Sequence, residues 1–291
     1  MGAITNVLRR NPALFQELKN VAFVGMGLAG ATWRLGRGDR GNGSGQLRIL
    51  MYHRVSPRRV DGYTTSPERL RRHLRLVAGS YRPVSPATVL QAIEQRLPLP
   101  DRAVLLTFDD GYLEHYEHAY PLLRSEDLEA LLFVPTDHIR DRGGDTAPVP
   151  DATLDWTHLA EMRDVFTIGS HGMSHQKLTE LPRATAELEI TRSKRIIEDR
   201  LGTAVSFFCY PYGTPSAFDP GLEATVRAAG YRASFVTIPG PNPDQHVWAG
   251  GALHRHGVEP LSSFALARVL DGSTDWWRGR SARDGDVSAS V

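Results

Sequence analysis

Short apolar runs alternate with amphipathic segments through most of this chain, and that alternation constrains the fold more than any other feature. The apolar runs have the length of buried strands, and the segments between them place their apolar residues at helical spacing. Strands that alternate with helices form a parallel sheet covered by helices, which is either open or closed into a barrel. In both architectures the chemistry gathers at the carboxyl ends of the strands. The strand-like runs are LRILMYH from Leu47, AVLLTF from Ala103, EALLFV from Glu129, DVFTIGS from Asp164, VSFFCYPY from Val205 and ASFVTI from Ala233.

The amino-acid composition excludes some classes of function. The formal net charge is +1, with 34 Lys and Arg against 33 Asp and Glu, so the chain lacks the excess of basic residues that binding to nucleic acid requires. Its 291 residues fit one large α/β domain with a short appendage. Cys209 is the single cysteine, which excludes an intramolecular disulfide and a cysteine-rich zinc site. A bound metal would therefore depend mainly on His, Asp and Glu.

The first 45 residues differ in composition from the rest. Residues 21–33 are apolar but too few to span a bilayer, and residues 36–45 form a glycine-rich linker. Residues 1–48 carry seven Lys or Arg and two acidic residues, which suits contact with an anionic lipid surface. A basic leader without a binding role is the alternative. We predict a leader and linker over 1–45, a catalytic domain over 46–277 and a disordered tail over 278–291. We expect a cytoplasmic protein that can contact the inner face of the membrane.

Two adjacent carboxylates follow the second of these runs. Asp109 and Asp110 lie in the segment TFDDGY, where the strand gives way to a helix. Successive residues that leave a strand point in different directions, so one carboxylate can bind a metal while the other faces a substrate. The alternative is that one aspartate only caps the following helix.

Two histidines follow a later run at a spacing of four residues. His171 and His175 lie in the segment SHGMSH, and a helical turn here would bring both rings to one side. Two imidazoles and one carboxylate make a metal site with open positions for water and substrate. Such a pair alone is more often found on an ordinary surface turn. Its combination with the two aspartates, also at strand ends, favours a catalytic site.

A third strand-end segment, FFCYPYG, combines aromatic residues with proline and glycine. Tyr210, Pro211 and Tyr212 can form a tight loop that contacts a sugar ring and offers a backbone N–H to an oxyanion. An ordinary strand-terminating turn is the alternative.

The three segments, in this order, resemble the NodB-type polysaccharide deacetylases of carbohydrate esterase family 4. The upstream segment ILMYHRV from Ile49 and the downstream Leu253-His254-Arg255 resemble the subgroup that includes poly-N-acetylglucosamine deacetylases. The resemblance covers about residues 47–270. It implies a distorted (β/α) barrel with fewer than eight regular units, one divalent metal ion that is usually zinc, and hydrolysis of acetamides on sugars.

The resemblance also implies roles for single residues. Matching the family's segments places the metal ligands at Asp110, His171 and His175, the general base at Asp109, and the oxyanion donor at the backbone N–H of Tyr212.

Two roles stay open at this point. Many relatives have an arginine before the Pro-Tyr loop that orients the base, whereas this chain has Cys209 there, so the orienting partner is unassigned. The candidates for the general acid are His53, His254 and His256. We expect His115 and His118, on the helix after the aspartates, to face solvent.

The sequence therefore predicts a metal-dependent hydrolase that removes acetyl groups from N-acetyl amino sugars. The substrate would be a polysaccharide or a lipid-linked or nucleotide-linked glycan precursor. Removal of O-acetyl or formyl groups uses the same chemistry and is one alternative. A glycan-binding protein without catalysis on the same fold is another.

Overall fold

The computed structural model describes residues 46–58, 60–141, 152–259 and 261–275. Its longer strands coincide with the apolar runs of the sequence. Five longer strands form the body of the sheet, and several short ones lie at its edges. The strands are β1 (Gln46–Tyr52), β2 (Arg54–Val55), β3 (Thr64–Thr65), β4 (Arg82–Pro83), β5 (Ala103–Asp109), β6 (Ala130–Val134), β7 (Phe166–Ser170), β8 (Phe207–Cys209), β9 (Ala233–Val236), β10 (Asn242–Pro243), β11 (Leu253–His254) and β12 (His256–Gly257).

The main sheet curls into a barrel of parallel strands. Its order is β1-β5-β6-β7-β8-β9-β11, with β10 antiparallel to the start of β1 and β4 beside β5. The chain segment that carries β11 and β12 closes the ring, because β11 pairs with β9 and β12 pairs with β1. Arg255 lies between these two pairings. The point of closure is therefore also the place where one buried arginine enters the barrel.

Helices connect the strands and cover the outside of the barrel. Several begin with a proline in the first turn, preceded by a side chain that caps the first N–H groups. Ser66, Ser85, Asp219 and Ser262 are such caps. The α-helices are Pro67–Ser80, Pro86–Gln95, Tyr120–Ser125, Trp156–Glu161, Arg183–Leu201, Pro220–Ala228, Asp244–Ala249 and Ser263–Leu270, and a π-helix covers His115–Ala119.

The core has two layers that follow from strand alternation. Alternate residues of each strand face the barrel interior, where Ile49, Leu105, Phe133 and Phe235 pack together. The intervening residues face outward and pack under the helices, for example Phe108 in the larger cluster. Complete burial of one such side chain stabilises the fold by roughly 1.5–3 kcal/mol. The interior cluster fills the barrel, so polar side chains gather above it at the carboxyl ends of the strands.

The barrel confirms the fold class predicted from the sequence. Of the amphipathic segments between the apolar runs, the sequence pattern over 184–201 and 222–229 predicts helices, which are found at Arg183–Leu201 and Pro220–Ala228. The pattern over 113–123 also predicts a helix, but the structure has a π-helix there, followed by Tyr120–Ser125. No helix in the described part of the chain is long and apolar enough to cross a bilayer. The leader and linker over 1–45 and the tail over 278–291 lie outside the described residues.

Candidate active site

The two adjacent aspartates end strand β5 and point in different directions. Asp109 continues the inward-facing positions of Leu105 and Thr107, so its carboxylate lies inside the barrel and is 1% exposed. Asp110 follows with a φ of 76°, in the left-handed region. That conformation costs a residue other than glycine about 1–3 kcal/mol. The unfavourable turn places the two carboxylates in separate environments.

His171 and His175 belong to a loop that leaves strand β7 at the same end of the barrel. The buried His171 ring donates from Nδ1 to the carbonyl oxygen of Cys209 at 2.8 Å, which turns Nε2 toward Asp110. A hydrogen bond of this kind selects the tautomer whose Nε2 can bind a metal. Burial also lowers the pKa of His171 to about 4, so the ring is neutral at pH 7.

Glu189, on the helix Arg183–Leu201, holds the histidine loop in place. Its buried carboxylate accepts hydrogen bonds from the backbone N–H of Met173 at 2.6 Å, the N–H of Ser174 at 3.0 Å and the Ser174 hydroxyl at 2.6 Å. His175 then adopts a φ of 58°. The loop does not form the helical turn expected from the sequence, and the left-handed residue brings the second ring to the site instead.

Three ligand atoms converge at the mouth of the barrel. Asp110 Oδ1 lies 3.1 Å from His175 Nε2 and 3.6 Å from His171 Nε2. This oxygen is buried, and none of the residues that the structure describes makes a hydrogen bond to it. Burial opposes ionisation of Asp110, but the neighbouring imidazoles outweigh it and hold its pKa below the ordinary value. A buried carboxylate oxygen without a hydrogen bond, between two imidazole nitrogens, fits a divalent cation such as zinc.

A second group, formed by Asp109, His171 and Cys209, is also compact enough for a metal. Arg255, however, donates to both oxygens of Asp109 and to the sulfur of Cys209. A guanidinium in this position repels a cation. Burial also raises the pKa of the Cys209 thiol, so it stays protonated. We therefore assign no metal to this second group.

Arg255 is the orienting partner of Asp109 that the sequence left unassigned. Its side chain is 0% exposed and binds the carboxylate with two hydrogen bonds, Nη1 to Oδ1 at 2.7 Å and Nη2 to Oδ2 at 2.8 Å. Its other N–H groups donate to Thr107 Oγ1, Cys209 Sγ and the carbonyl of Val236. Burial opposes ionisation of Asp109, but the charge of Arg255 holds the pKa below its ordinary value.

His53 lies on the other side of Asp109, just after strand β1. Its Nδ1 lies 2.6 Å from Glu259 Oε1, and its Nε2 lies 3.9 Å from Asp109 Oδ2. Burial lowers the pKa of His53, but the hydrogen bond to Glu259 and the nearby carboxylates raise it to about 9. His53 is therefore protonated at pH 7 and can donate a proton beside Asp109.

The Pro-Tyr loop places its three candidate residues differently. Tyr210 is 0% exposed and packs against Phe208 and Phe218, with ring centroids 5.1 and 5.3 Å away, so it faces the core. Pro211 is also buried. Tyr212 is 56% exposed, has a φ of 63°, and places its ring centroid 5.3 Å from that of His175. Its backbone N–H makes no hydrogen bond within the described residues. Of the three, only Tyr212 faces the site.

His254 and His256 flank Arg255 and have other contacts. The ring of His254 lies 5.0 Å from that of His246, and His256 Nε2 bonds the carbonyl oxygen of Gly240 at 3.0 Å. Successive residues of an extended segment point to opposite sides. Because Arg255 points toward Asp109, its neighbours His254 and His256 point away from it. The structure thus brings His53, and neither His254 nor His256, close to Asp109.

Sequence reasoning missed three residues that hold the site together and misplaced a fourth. Arg255 entered the sequence analysis only as part of the resemblance at Leu253-His254-Arg255, and its contact with Asp109 was not predicted. Glu189 and Glu259 meet the site only through the fold and left no motif. His115, expected to face solvent, is fully buried, so that expectation was wrong. His118 is half-buried.

Comparison with known proteins adds independent information. The family model for polysaccharide deacetylases matches residues 96–234. The chain is 27% identical to YxkH, a polysaccharide deacetylase homologue of Bacillus subtilis (strain 168), over 78% of this chain and 76% of that protein. It is 24% identical to the poly-beta-1,6-N-acetyl-D-glucosamine N-deacetylase of Staphylococcus aureus (strain MRSA252), over 47% of this chain. That match spans 48% of the staphylococcal protein.

Solved structures share the barrel. Streptococcus pyogenes deacetylase PplD in complex with acetate has a TM-score of 0.66 and 20% identity, over 78% of this chain and 99% of the other. IcaB from Ammonifex degensii has a TM-score of 0.61 and 23% identity, over 80% of this chain and 98% of the other. At these sequence identities the similarity establishes the fold but not the chemistry, which depends on the residues described above.

Proposed function

We propose that this chain, whose residues 96–234 match the family model for polysaccharide deacetylases, is a metal-dependent hydrolase that removes the acetyl group from N-acetyl amino sugars of a glycan. One observation carries the proposal. At the mouth of the barrel, Asp110, His171 and His175 could together hold a metal ion, and they lie next to the buried Asp109 and to His53. Hydrolysis of an amide needs a group that activates the carbonyl, a base for the attacking water and an acid for the departing amine.

Asp110, His171 and His175 would hold the metal. Two imidazole nitrogens and one carboxylate oxygen favour zinc, and three protein ligands leave positions open, as catalytic rather than structural sites do. When bound there, the metal would supply Lewis acidity that polarises the acetyl carbonyl and lowers the pKa of water. Metal identity and metal dependence are part of this proposal.

Asp109 would act as the general base. The guanidinium of Arg255 keeps the carboxylate ionised at pH 7 and fixes its plane through two hydrogen bonds. An ionised carboxylate in a fixed orientation can accept the proton of the attacking water. The same ion pair makes Asp109 a weak base, so the water needs the acidifying metal beside it.

His53 would act as the general acid. Glu259 accepts its Nδ1–H, which leaves Nε2–H directed to the side of Asp109 where the reaction takes place. Because its pKa is raised to about 9, the imidazole carries a proton at pH 7 and can deliver it to the departing amine nitrogen. His254 is not proposed, because its ring packs against His246.

The backbone N–H of Tyr212 would bind the oxyanion that develops on the acetyl group. This N–H is free among the described residues, and the left-handed conformation of Tyr212 sets its direction. The exposed ring of Tyr212 beside His175 would contact the sugar. The glycan class is proposed from the staphylococcal relative, whose name specifies poly-beta-1,6-N-acetyl-D-glucosamine.

Mass spectrometry of N-acetylglucosamine oligomers after incubation with the zinc-loaded protein tests the proposal. We expect a loss of 42 Da per hydrolysed acetyl group, abolished by a chelator and restored by zinc, since ~42 Da is the mass difference between an acetyl group and hydrogen. Asp109→Asn and His175→Ala should lose the activity, whereas Glu117→Gln, an exposed carboxylate on the following helix, should retain it. Full activity in Asp109→Asn or in the chelated protein would refute the mechanism.

An O-acetylated sugar in the same panel tests the alternative. Alkoxide leaving groups need less protonation than amines, so an O-deacetylase could work without His53. Release of acetate from O-acetyl but not from N-acetyl sugars would assign the protein to that reaction. Binding of the oligomers without turnover at any divalent metal would favour a glycan-binding role.

A further inference from the structure

His115 is a buried histidine that the proposed mechanism does not use. It begins the π-helix His115–Ala119, five residues after Asp110, and its side chain is 0% exposed. Short π-helical turns occur frequently at functional sites, because the extra residue in the turn redirects side chains. Here the turn directs the His115 ring inward, under the end of strand β1.

Within the described part of the chain, the His115 ring makes one hydrogen bond, and its partner is the backbone of His53. His115 Nε2 lies 2.5 Å from the carbonyl oxygen of His53. A carbonyl only accepts, so Nε2 carries the proton and donates it. Nδ1 then carries a lone pair that is buried and has no hydrogen-bond partner among the described residues. Burial lowers the pKa of His115 to about 4, which agrees with a neutral ring that donates at Nε2 across the neutral pH range.

Aromatic packing leaves the ring little freedom to turn. Phe108 meets the His115 ring edge-on with centroids 5.6 Å apart, and Phe108 stacks on Tyr52 at 5.1 Å. Tyr52 and Phe108 are register partners on strands β1 and β5. They directly precede His53 and Asp109, so the ring packs at the point where both proposed catalytic residues leave the sheet.

We propose that His115 is a positioning residue for the general acid. Its hydrogen bond ties the backbone of His53 to the segment that carries Asp109 and Asp110, and so sets the distance between acid and base. Glu259 orients the imidazole through Nδ1, while His115 fixes the main chain from which the imidazole extends. Burying the unpaired Nδ1 costs free energy. Packing alone does not require that cost, because a phenylalanine would fill the same space without a buried polar atom. This inference rests on the proposed function, in which His53 protonates the departing amine.

Two substrates with different leaving groups distinguish a misplaced general acid from a general loss of active-site structure. An N-acetyl sugar needs the acid, since an amine is a poor leaving group. 4-Nitrophenyl acetate does not, because nitrophenolate departs without a proton. Both substrates need the base and the metal.

We therefore compare kcat/KM on both substrates for the wild-type protein, His115→Phe, His115→Gln and His53→Gln. His115→Phe keeps the ring but removes the donor, and it should lower the rate on the N-acetylglucosamine oligomer by roughly 10- to 100-fold, as expected for a displaced catalytic group. The rate on 4-nitrophenyl acetate should change by less than about twofold. His115→Gln, whose Nε2–H can donate at a similar reach, should recover most of the oligomer activity. His118→Gln, on the same helix, serves as the control.

Combining His115→Phe with His53→Gln gives a second, independent test. If His115 acts through the acid, His115→Phe has no further effect once His53 is replaced. Additive losses would overturn the inference, as would equal losses on the two substrates or full oligomer activity in His115→Phe. If His115→Phe does not fold, His115→Asn, too short to reach the carbonyl, takes its place. A wild-type protein that cleaves the ester but no acetamide refutes the proposed function and this inference with it, whereas an active wild type with an unaffected variant refutes this inference alone.

Discussion

Replacing Arg255 with methionine would leave a buried carboxylate without its counter-ion. Methionine fills a similar volume but makes none of the five hydrogen bonds of the guanidinium, two of which go to Asp109. The arginine is 0% exposed and the aspartate 1%, so water cannot replace the lost contacts. The segment that carries β11 and β12 would also lose the hydrogen bonds from Arg255 to Thr107 and Asp109, which connect it to β5.

The expected magnitude follows from the burial of the pair. Removing one partner of a buried ion pair costs about 3–5 kcal/mol, because the remaining charge is neither solvated nor paired. For a domain of this size, that corresponds to a decrease in Tm of roughly 6–20 °C. When Asp109 is already replaced by asparagine, removing the arginine leaves no unpaired carboxylate. Arg255→Met should therefore lower the free energy of unfolding by about 2–4 kcal/mol less in that variant than in the wild-type protein.

The pH dependence has a definite sign. In the wild-type protein Arg255 holds the pKa of Asp109 below its ordinary value, so the pair stabilises the fold at neutral pH, and this contribution is lost as the pH falls through that lowered pKa. In Arg255→Met the buried Asp109 has a raised pKa, and the penalty disappears as the carboxyl group protonates. The difference in stability between the two proteins should therefore become smaller as the pH falls from neutral toward the ordinary pKa of an aspartate, about 3.9.

Urea unfolding of the four proteins of the cycle, with a chelator present, measures the coupling free energy without a contribution from metal binding. The pair Arg124 and Asp164, 3.3 Å apart on the surface, is the control and should show a coupling below about 1 kcal/mol. A coupling between Arg255 and Asp109 no larger than that of the surface pair would refute the reasoning. Activity should fall with stability in Arg255→Met, and Arg255→Lys should not restore it, because lysine cannot bind both oxygens.

Three further results are expected. Burial lowers the pKa of His73 from 6.5 to about 4, so between these pH values the unfolded chain binds a proton that the folded protein does not. The free energy of unfolding, measured with urea, should therefore fall as the pH drops from 6.5 to 4. The decrease should be about 3 kcal/mol larger in the wild-type protein than in His73→Gln. Glu189→Gln should weaken zinc binding about 10- to 100-fold by calorimetry, since the loop that carries His175 loses its anchor; unchanged affinity would contradict that role. Gly169→Ala would place a Cβ 2.6 Å from the ring of Phe133, and thermal unfolding should show a loss of about 1–3 kcal/mol that Phe133→Leu partly recovers.

The four residues with the clearest chemistry could be identified from the sequence because each follows a strand. In a parallel barrel all strands end at one rim, so strand-end side chains far apart in the chain must lie close together. Asp109, Asp110, His171 and His175 meet at that rim. The order of strands and helices and the family resemblance follow from patterns that are local in sequence.

The partners of these residues depended on the closed barrel. Arg255 reaches Asp109 because one segment pairs with β9 and with β1, and Glu259 reaches His53 just after that segment. The contact between His115 and the His53 carbonyl depends on a π-turn that no local pattern indicated. Sequence by itself determined the fold class and which strand-end side chains are candidates for the chemistry, because both depend on residue type and spacing. The tertiary structure decided which groups hold those side chains, because long-range contacts and buried charges exist only once the barrel closes.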